Sequence, residues 1–365
     1  MIITGLALGL VLGFIFQRGR FCVTGAFRDV WLSRSTRWLT AFGLAILVQA
    51  VIVQALLGFD LIEAGVPKIV WGAVTAGSFL FGIGIVLAGG CATGTYYRSG
   101  EGLIGSWFAL ALYALSASVM KYGALKGFND WARADKSEVT TIHGALGITP
   151  WLLVGLLALA VGWGLWKQVS RQRTPVATLR PRRAGLAGLL LDRPWNPYAT
   201  AVVVGLVAAL AFPLSNATGR AAGLGITTPS ADIVQWLTTG DGQYIDWGVL
   251  FVLGLIPGSF IAAKASGEFR LRAPDARTTL RSISGGALMG IGASLAGGCT
   301  IGNSLVQTAL FSAQGWVAFL FTFLGVGFAA RVFVQTHRRP AAVATRLGPA
   351  LVADGPVRTP DLVNS

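Results

Sequence analysis

The chain alternates long apolar runs with short polar connections. The runs cover residues 2 to 16, 39 to 57, 70 to 88, 103 to 120, 150 to 166, 199 to 212, 247 to 263, 284 to 296 and 316 to 334. A helix that crosses a bilayer needs roughly 20 apolar residues, so this pattern predicts an all-α polytopic membrane protein of about nine transmembrane helices. The first, sixth and eighth runs are short for a full crossing. In lipid, broken helices persist only where protein or a water-filled cavity surrounds them. Short or glycine-interrupted segments at matching places in two halves of a chain point to a transport site.

One stretch occurs twice. Residues 82 to 94 read Gly-Ile-Gly-Ile-Val-Leu-Ala-Gly-Gly-Cys-Ala-Thr-Gly, and residues 290 to 302 read Gly-Ile-Gly-Ala-Ser-Leu-Ala-Gly-Gly-Cys-Thr-Ile-Gly. A second correspondence aligns Gly19-Arg20 with Gly219-Arg220 and Gly25 with Gly225, which sets Ala222 opposite Cys22. The expected organisation is one transmembrane domain over residues 1–335. Repeat one covers 1–120, a connecting span and basic linker cover 121–198, repeat two covers 199–335, and residues 336–365 form a cytoplasmic C-terminal tail.

Charge sets the expected orientation. Of the 29 lysines and arginines, 23 fall in or beside connections on one side (17–38, 89–102, 167–198, 264–283 and the C-terminal segment), with 7 of the 15 acidic residues. Cytoplasmic connections carry the lysine and arginine excess. That side is therefore expected inside, with the N-terminus outside, the C-terminus cytoplasmic, and nine spans matching the parity. Span three then runs inward to Cys91 and span eight outward to Cys299, so the repeat is inverted and its glycine-rich loops re-enter the centre. Composition agrees with membrane embedding: apolar residues make up 54%, charged residues 12%, and mean hydropathy is +0.66. The +14 net charge could suggest nucleic acid, but the basic residues sit between apolar spans, where topology accounts for them; no nucleic-acid partner is expected.

Three cysteines, Cys22, Cys91 and Cys299, cannot form a disulfide framework, and their wide spacing matches no local metal motif. Both histidines, His143 and His337, fall in polar connections, and no metal or cofactor is expected. A Gly-Gly-Cys turn, with Gly90 and Gly298 beside the thiols, brings backbone amides close to a cavity, and such amides attract anions. A neutral thiol is soft and polarisable, so this chemistry suits a sulfur-containing anion. Buried cysteines also pack as small hydrophobes, and glycine-rich membrane helices use glycine for close packing. Two motif copies plus a third cysteine in a related loop favour function over packing.

Other polar residues are candidates for the pathway. Thr93, Thr300 and Asn303 can donate to sulfonate oxygens. Arg20 and Arg220 form a symmetric electrostatic pair beside the central loops. Lys68 attracts anions on the outer side or anchors the interface. Arg98 and Glu101 either pair structurally or gate the inner exit.

Three stretches resemble the YeeE/YedE family of sulfur-transport proteins. They are Arg20-Phe21-Cys22-Val23-Thr24-Gly25, Gly89-Gly90-Cys91-Ala92-Thr93-Gly94 with Arg98-Ser99-Gly100-Glu101-Gly102, and Gly297-Gly298-Cys299-Thr300-Ile301-Gly302-Asn303. The resemblance runs from residue 1 to about 335. It implies thiosulfate uptake across the bacterial inner membrane, an hourglass-like body, the three cysteines relaying the ion, and a cytoplasmic sulfur-carrier partner of the TusA type. No Gly-x-x-x-x-Gly-Lys-Ser/Thr motif occurs, so nucleotide hydrolysis is not expected to drive it. The competing reading is a membrane thiol-disulfide oxidoreductase, which needs a reactive thiol pair near a surface.

Overall fold

A computed structural model describes residues 2–170, 185, 188–193 and 195–335. The expected C-terminal tail and most of the basic linker lie outside the described residues. The first half comprises α1 (Ile3–Gly19), α2 (Val23–Ser33), α3 (Arg37–Gly58), α4 (Trp71–Leu87), α5 (Ala92–Gly100) and α6 (Ile104–Lys121). Two short helices, α7 (Lys126–Ala132) and α8 (Ile142–Leu146), and the long α9 (Pro150–Val169) lead to the second half. There follow α10 (Pro197–Asn216), α11 (Thr227–Thr239), α12 (Trp247–Ala265), α13 (Ala276–Ala296), a wide helical turn at Gly302–Gln307, and α14 (Ala313–Ala329).

The chain is an all-α, multi-pass membrane protein. Among the described residues, eight helical segments are long and apolar enough to cross a bilayer. The ninth expected crossing is α13, whose first turns carry Arg277 and Arg281. Two expectations about length change here. The sixth and eighth runs belong to α10 and α13, which are 20 and 21 residues long. Hydropathy counted only their apolar cores, whereas backbone hydrogen bonding carries a helix on through polar turns. The short helices lie elsewhere, at α2, α5 and Gly302–Gln307, each following a cysteine loop.

Local chemistry starts the long helices of the second half. Asn196 caps α10 by accepting from the Tyr198 amide with Pro197 in the first turn, and the Asp246 carboxylate accepts from the Val249 amide at 2.8 Å to open α12. Such caps satisfy amides that have no intrahelical partner. Packing then pairs the halves: α1 lies on α12, α3 on α10, α4 on both α13 and α14, and α6 on α13 and α11. Apolar attraction between helices is weak in lipid, so contact depends on small residues that let backbones approach. Gly9 of α1 shows the need, because a Cβ there would overlap the Phe251 carbonyl of α12.

Candidate functional site

Cys22 and Cys91 are the N-caps of α2 and α5, and Cys299 lies two residues before Ile301, the N-cap of the Gly302–Gln307 turn. The carbonyl of Cys22 accepts from the Ala26 amide (3.1 Å), that of Cys91 from Thr95 (2.8 Å) and that of Cys299 from Asn303 (2.8 Å). The amides just after a helix start lack helical partners. Those amides carry the positive end of the helix dipole and attract negative groups. The turns before Cys91 and Cys299 match as well. Gly89 and Gly297 both adopt left-handed backbone, with φ of +73° and +74°, a conformation glycine takes without a steric penalty.

The tertiary fold brings these helix starts together. A Cβ on Gly94 would meet the Cys22 sulfur at 3.5 Å and the Cys91 sulfur at 3.7 Å, so the two thiols face a common point. Cys91 is also within reach of the Thr300 hydroxyl, next to Cys299. All three cysteines are free thiols. Cys299 in turn lines a cavity of about 140 Å³ together with Arg220, Ala222, Ile226, Thr227 and Gln307. On its other flank Cys22 borders a void lined by Phe21, Trp38 and Phe42 that is too narrow for a water.

The fourth helix start differs from the alignment. Ile226, not Ala222, is the N-cap of α11. Three residues separate α1 from α2, whereas ten separate α10 from α11. An ungapped comparison cannot register that longer connection, and it sets Ala222, four positions before this N-cap, opposite Cys22. The residue at that helix start carries no sulfur in either case.

Side chains hold the two Gly-Gly-Cys turns. Arg98 donates to the Gly89 carbonyl. Arg133, which the sequence reading did not single out, reaches across from the α7 connection and donates to the Leu295 carbonyl. Asn303 uses its amide hydrogens on the carbonyls of Ala296 (3.0 Å) and Gly298 (3.1 Å), and its own oxygen accepts from Gln314 (3.1 Å). Asn303 is therefore a brace for the turn, and its donors are already engaged. A side chain at Gly298 would press on Asn303, and one at Gly90 on Arg98.

An ionic network occupies the arginine-rich side. Arg20 bridges Glu101 and Glu268, both at 2.8 Å, Arg18 pairs with Glu268 at 3.2 Å, and Gln17 donates to Glu268 at 2.7 Å. Glu101 thus pairs with Arg20, while Arg98 serves the turn. Burial pushes the Glu268 carboxyl up, but the Gln17 hydrogen bond and the guanidiniums of Arg20 and Arg18 outweigh it and hold the group below its ordinary value. Glu101 is more enclosed, and there burial prevails over Arg20 and Arg98 and raises the carboxyl. Arg220, the expected partner of Arg20 by symmetry, instead lines the cavity near Cys299 and faces Asp246 at 3.7 Å. Lys68 lies at the exposed surface, paired with Glu138 at 2.7 Å. Among the described residues no group of histidine, cysteine and carboxylate side chains is placed to hold a metal.

The profile of the family described as sulphur transport matches residues 18–328. The chain is 49% identical to the thiosulfate transporter TsuA of Escherichia coli K12, over 94% of this chain and 98% of that protein. It is 34% identical to the thiosulfate transporter TsuA of Spirochaeta thermophila, over 89% of this chain and 97% of that protein. A probable transporter of Escherichia coli K12, YedE, shares 34% identity over 47% of this chain and 43% of its own.

Proposed function

The chain belongs to the sulphur-transport family, and from that membership we propose that it carries thiosulfate across a bacterial inner membrane into the cytoplasm, along a central path marked by Cys299, Cys91 and Cys22. The observation that carries the reading is the contiguity of the three cysteine loops. Cys299 opens onto the cavity, Thr300 reaches Cys91, and Cys91 and Cys22 converge on Gly94.

The chemistry follows from the residues. Arg220 in the cavity wall draws the anion toward Cys299. A cysteine S–H is a weak donor to the terminal sulfur, and three such donors in series let the ion move without any one site holding it tightly. Helix starts beside the thiols stabilise the charge that lipid would reject. Arg20, whose side chain is half exposed, then receives the ion on the arginine-rich side, and the lysine and arginine excess there supports a cytoplasmic location. The family resemblance adds a TusA-like carrier as the acceptor there.

The reciprocal packing of α1 on α12 and α3 on α10, and of α6 on α13 and α4 on α14, supports two inverted repeats, because exchanging the halves maps each pairing onto the other. The adjacency of Cys22 and Cys91 is the one feature that favours thiol-disulfide exchange, but Cys91 is 1% exposed and exchange needs access. The deciding experiment is radiolabelled thiosulfate uptake in a bacterial strain stripped of its own sulfur importers. Accumulation above the empty-vector control supports the reading, and none refutes it.

A further inference from the structure

A hydroxyl accompanies each thiol. Thr24 and Thr93 are the second residues of α2 and α5, two positions after Cys22 and Cys91, and Thr300 directly follows Cys299. Their exposures are 3%, 2% and 1%, and all three hydroxyl oxygens are buried without a hydrogen-bond partner. Thr300 reaches the Cys91 thiol but closes no bond of full geometry.

Packing does not explain this set. A buried hydroxyl with no partner costs about 1–3 kcal/mol, and valine would fill the same space without that cost. Nor are these capping residues, since Cys22, Cys91 and Ile301 hold the N-cap positions. Threonine in a helix interior commonly bonds back to a carbonyl one turn earlier, as Thr308 does to Ser304. Thr24, Thr93 and Thr300 do not. Three buried hydroxyls, each within two residues of a thiol and none closing a hydrogen bond of full geometry, make a set of donors available to a ligand.

We propose that Thr24, Thr93 and Thr300 read the oxygens of the transported anion while the neighbouring thiols read its sulfur. This rests on the function proposed above and adds the basis of its selectivity. Thiosulfate has a soft sulfur end and a hard end of three oxygens. A thiol and a hydroxyl set side by side match the two ends together, and Cys91 with Thr300 is the pair whose proximity is already formed. Sulfate has no soft end to engage the thiol, and a simple sulfide has no oxygens to engage the hydroxyl. Either one satisfies half of each step.

The test uses the full-length protein in proteoliposomes, with radiolabelled thiosulfate and KM read separately from maximal rate. Thr93→Val and Thr300→Val should raise KM at least about tenfold, the worth of a hydrogen bond to a charged group, with thermal unfolding unchanged or shifted upward. Thr24→Val should do the same. Thr→Ser at each site keeps the hydroxyl and should stay within about fourfold of wild type, the worth of a lost methyl group. Valine variants with wild-type KM overturn the proposal, as do serine variants no better than valine. If wild type itself moves no thiosulfate, the functional reading falls and takes this one with it. If wild type transports and the valine variants match it, only the hydroxyl assignment falls.

Discussion

Cys22 and Cys91, 69 positions apart in sequence, place their sulfurs 3.5 and 3.7 Å from the point where a Cβ on Gly94 would stand. Two loops far apart in the chain, which share the pattern Cys-x-Thr-Gly, thus present adjacent sulfurs. The consequences for transport and for chemical modification can be separated.

Cys91→Ala and Cys299→Ala should abolish thiosulfate uptake while leaving a folded protein, with Cys22→Ala equal or milder. Removing one buried sulfur costs stability only on the order of 1–2 kcal/mol, which thermal unfolding will read. Serine at each site keeps a donor but not a soft one, and should restore at most a small part of the uptake.

A small membrane-permeant oxidant such as diamide should join Cys22 to Cys91 and stop uptake, because the two thiols lose their hydrogens to the reagent and the sulfurs bond to each other. Dithiothreitol should restore it. Mass spectrometry of tryptic fragments should show the Cys22–Cys91 link, and Cys22→Ala should protect the protein from the reagent. A dominant link to Cys299 would contradict the observed adjacency.

Arg133→Ala frees the Leu295 carbonyl ahead of the second Gly-Gly-Cys turn. The loss of a charge-assisted hydrogen bond at a part-buried site costs about 1.5–3 kcal/mol, and uptake should fall at least about tenfold as Cys299 loses its placement. Arg133→Lys keeps a donor but not the fork and should recover part of the rate. Unfolding temperature and uptake measured on the same preparations will check both effects.

Acid should weaken the Glu268 network in a defined direction. Because the folded carboxyl titrates below its ordinary value of 4.5, its contribution is fully present above that value and is lost as pH falls through the folded one. The stability difference between wild type and Glu268→Gln in detergent should therefore shrink between about pH 6 and about pH 3. A difference that stays constant or widens over that range would show that the carboxyl is not held low.

Gly9→Ala should be among the most damaging of the conservative changes outside the cysteine loops. The added methyl would overlap the Phe251 carbonyl, and α1 and α12 must separate to admit it. Overpacking of this kind costs about 1–3 kcal/mol, visible as a lower unfolding temperature and reduced yield in the membrane fraction.

The all-α character, the long helices, the duplicated Gly-Gly-Cys and the two-sided charge distribution were all legible in the sequence. Each follows from local properties: apolar runs long enough for a bilayer, glycine where backbone must turn left-handed, and arginine gathered in particular connections. The family could be named from three short motifs for the same reason. What the sequence by itself could not determine was which distant groups meet. Glu101 follows Arg98 by three positions, yet it pairs with Arg20, 81 positions away, because α1 and α5 end on the same side of the molecule. Arg133 reads as one cation in a polar connection, and only the path of α7 beside the end of α13 makes it the brace of the second turn. Ile226 stands at the fourth helix start because the connection from α10 to α11 is longer than its counterpart, a difference that identity at fixed spacing cannot carry. The buried hydroxyls of Thr24, Thr93 and Thr300 were visible as residues, but their lack of partners is a property of the folded surroundings. Hydropathy and turn chemistry act over a few residues, whereas a site is an agreement among helices, and packing alone decides it.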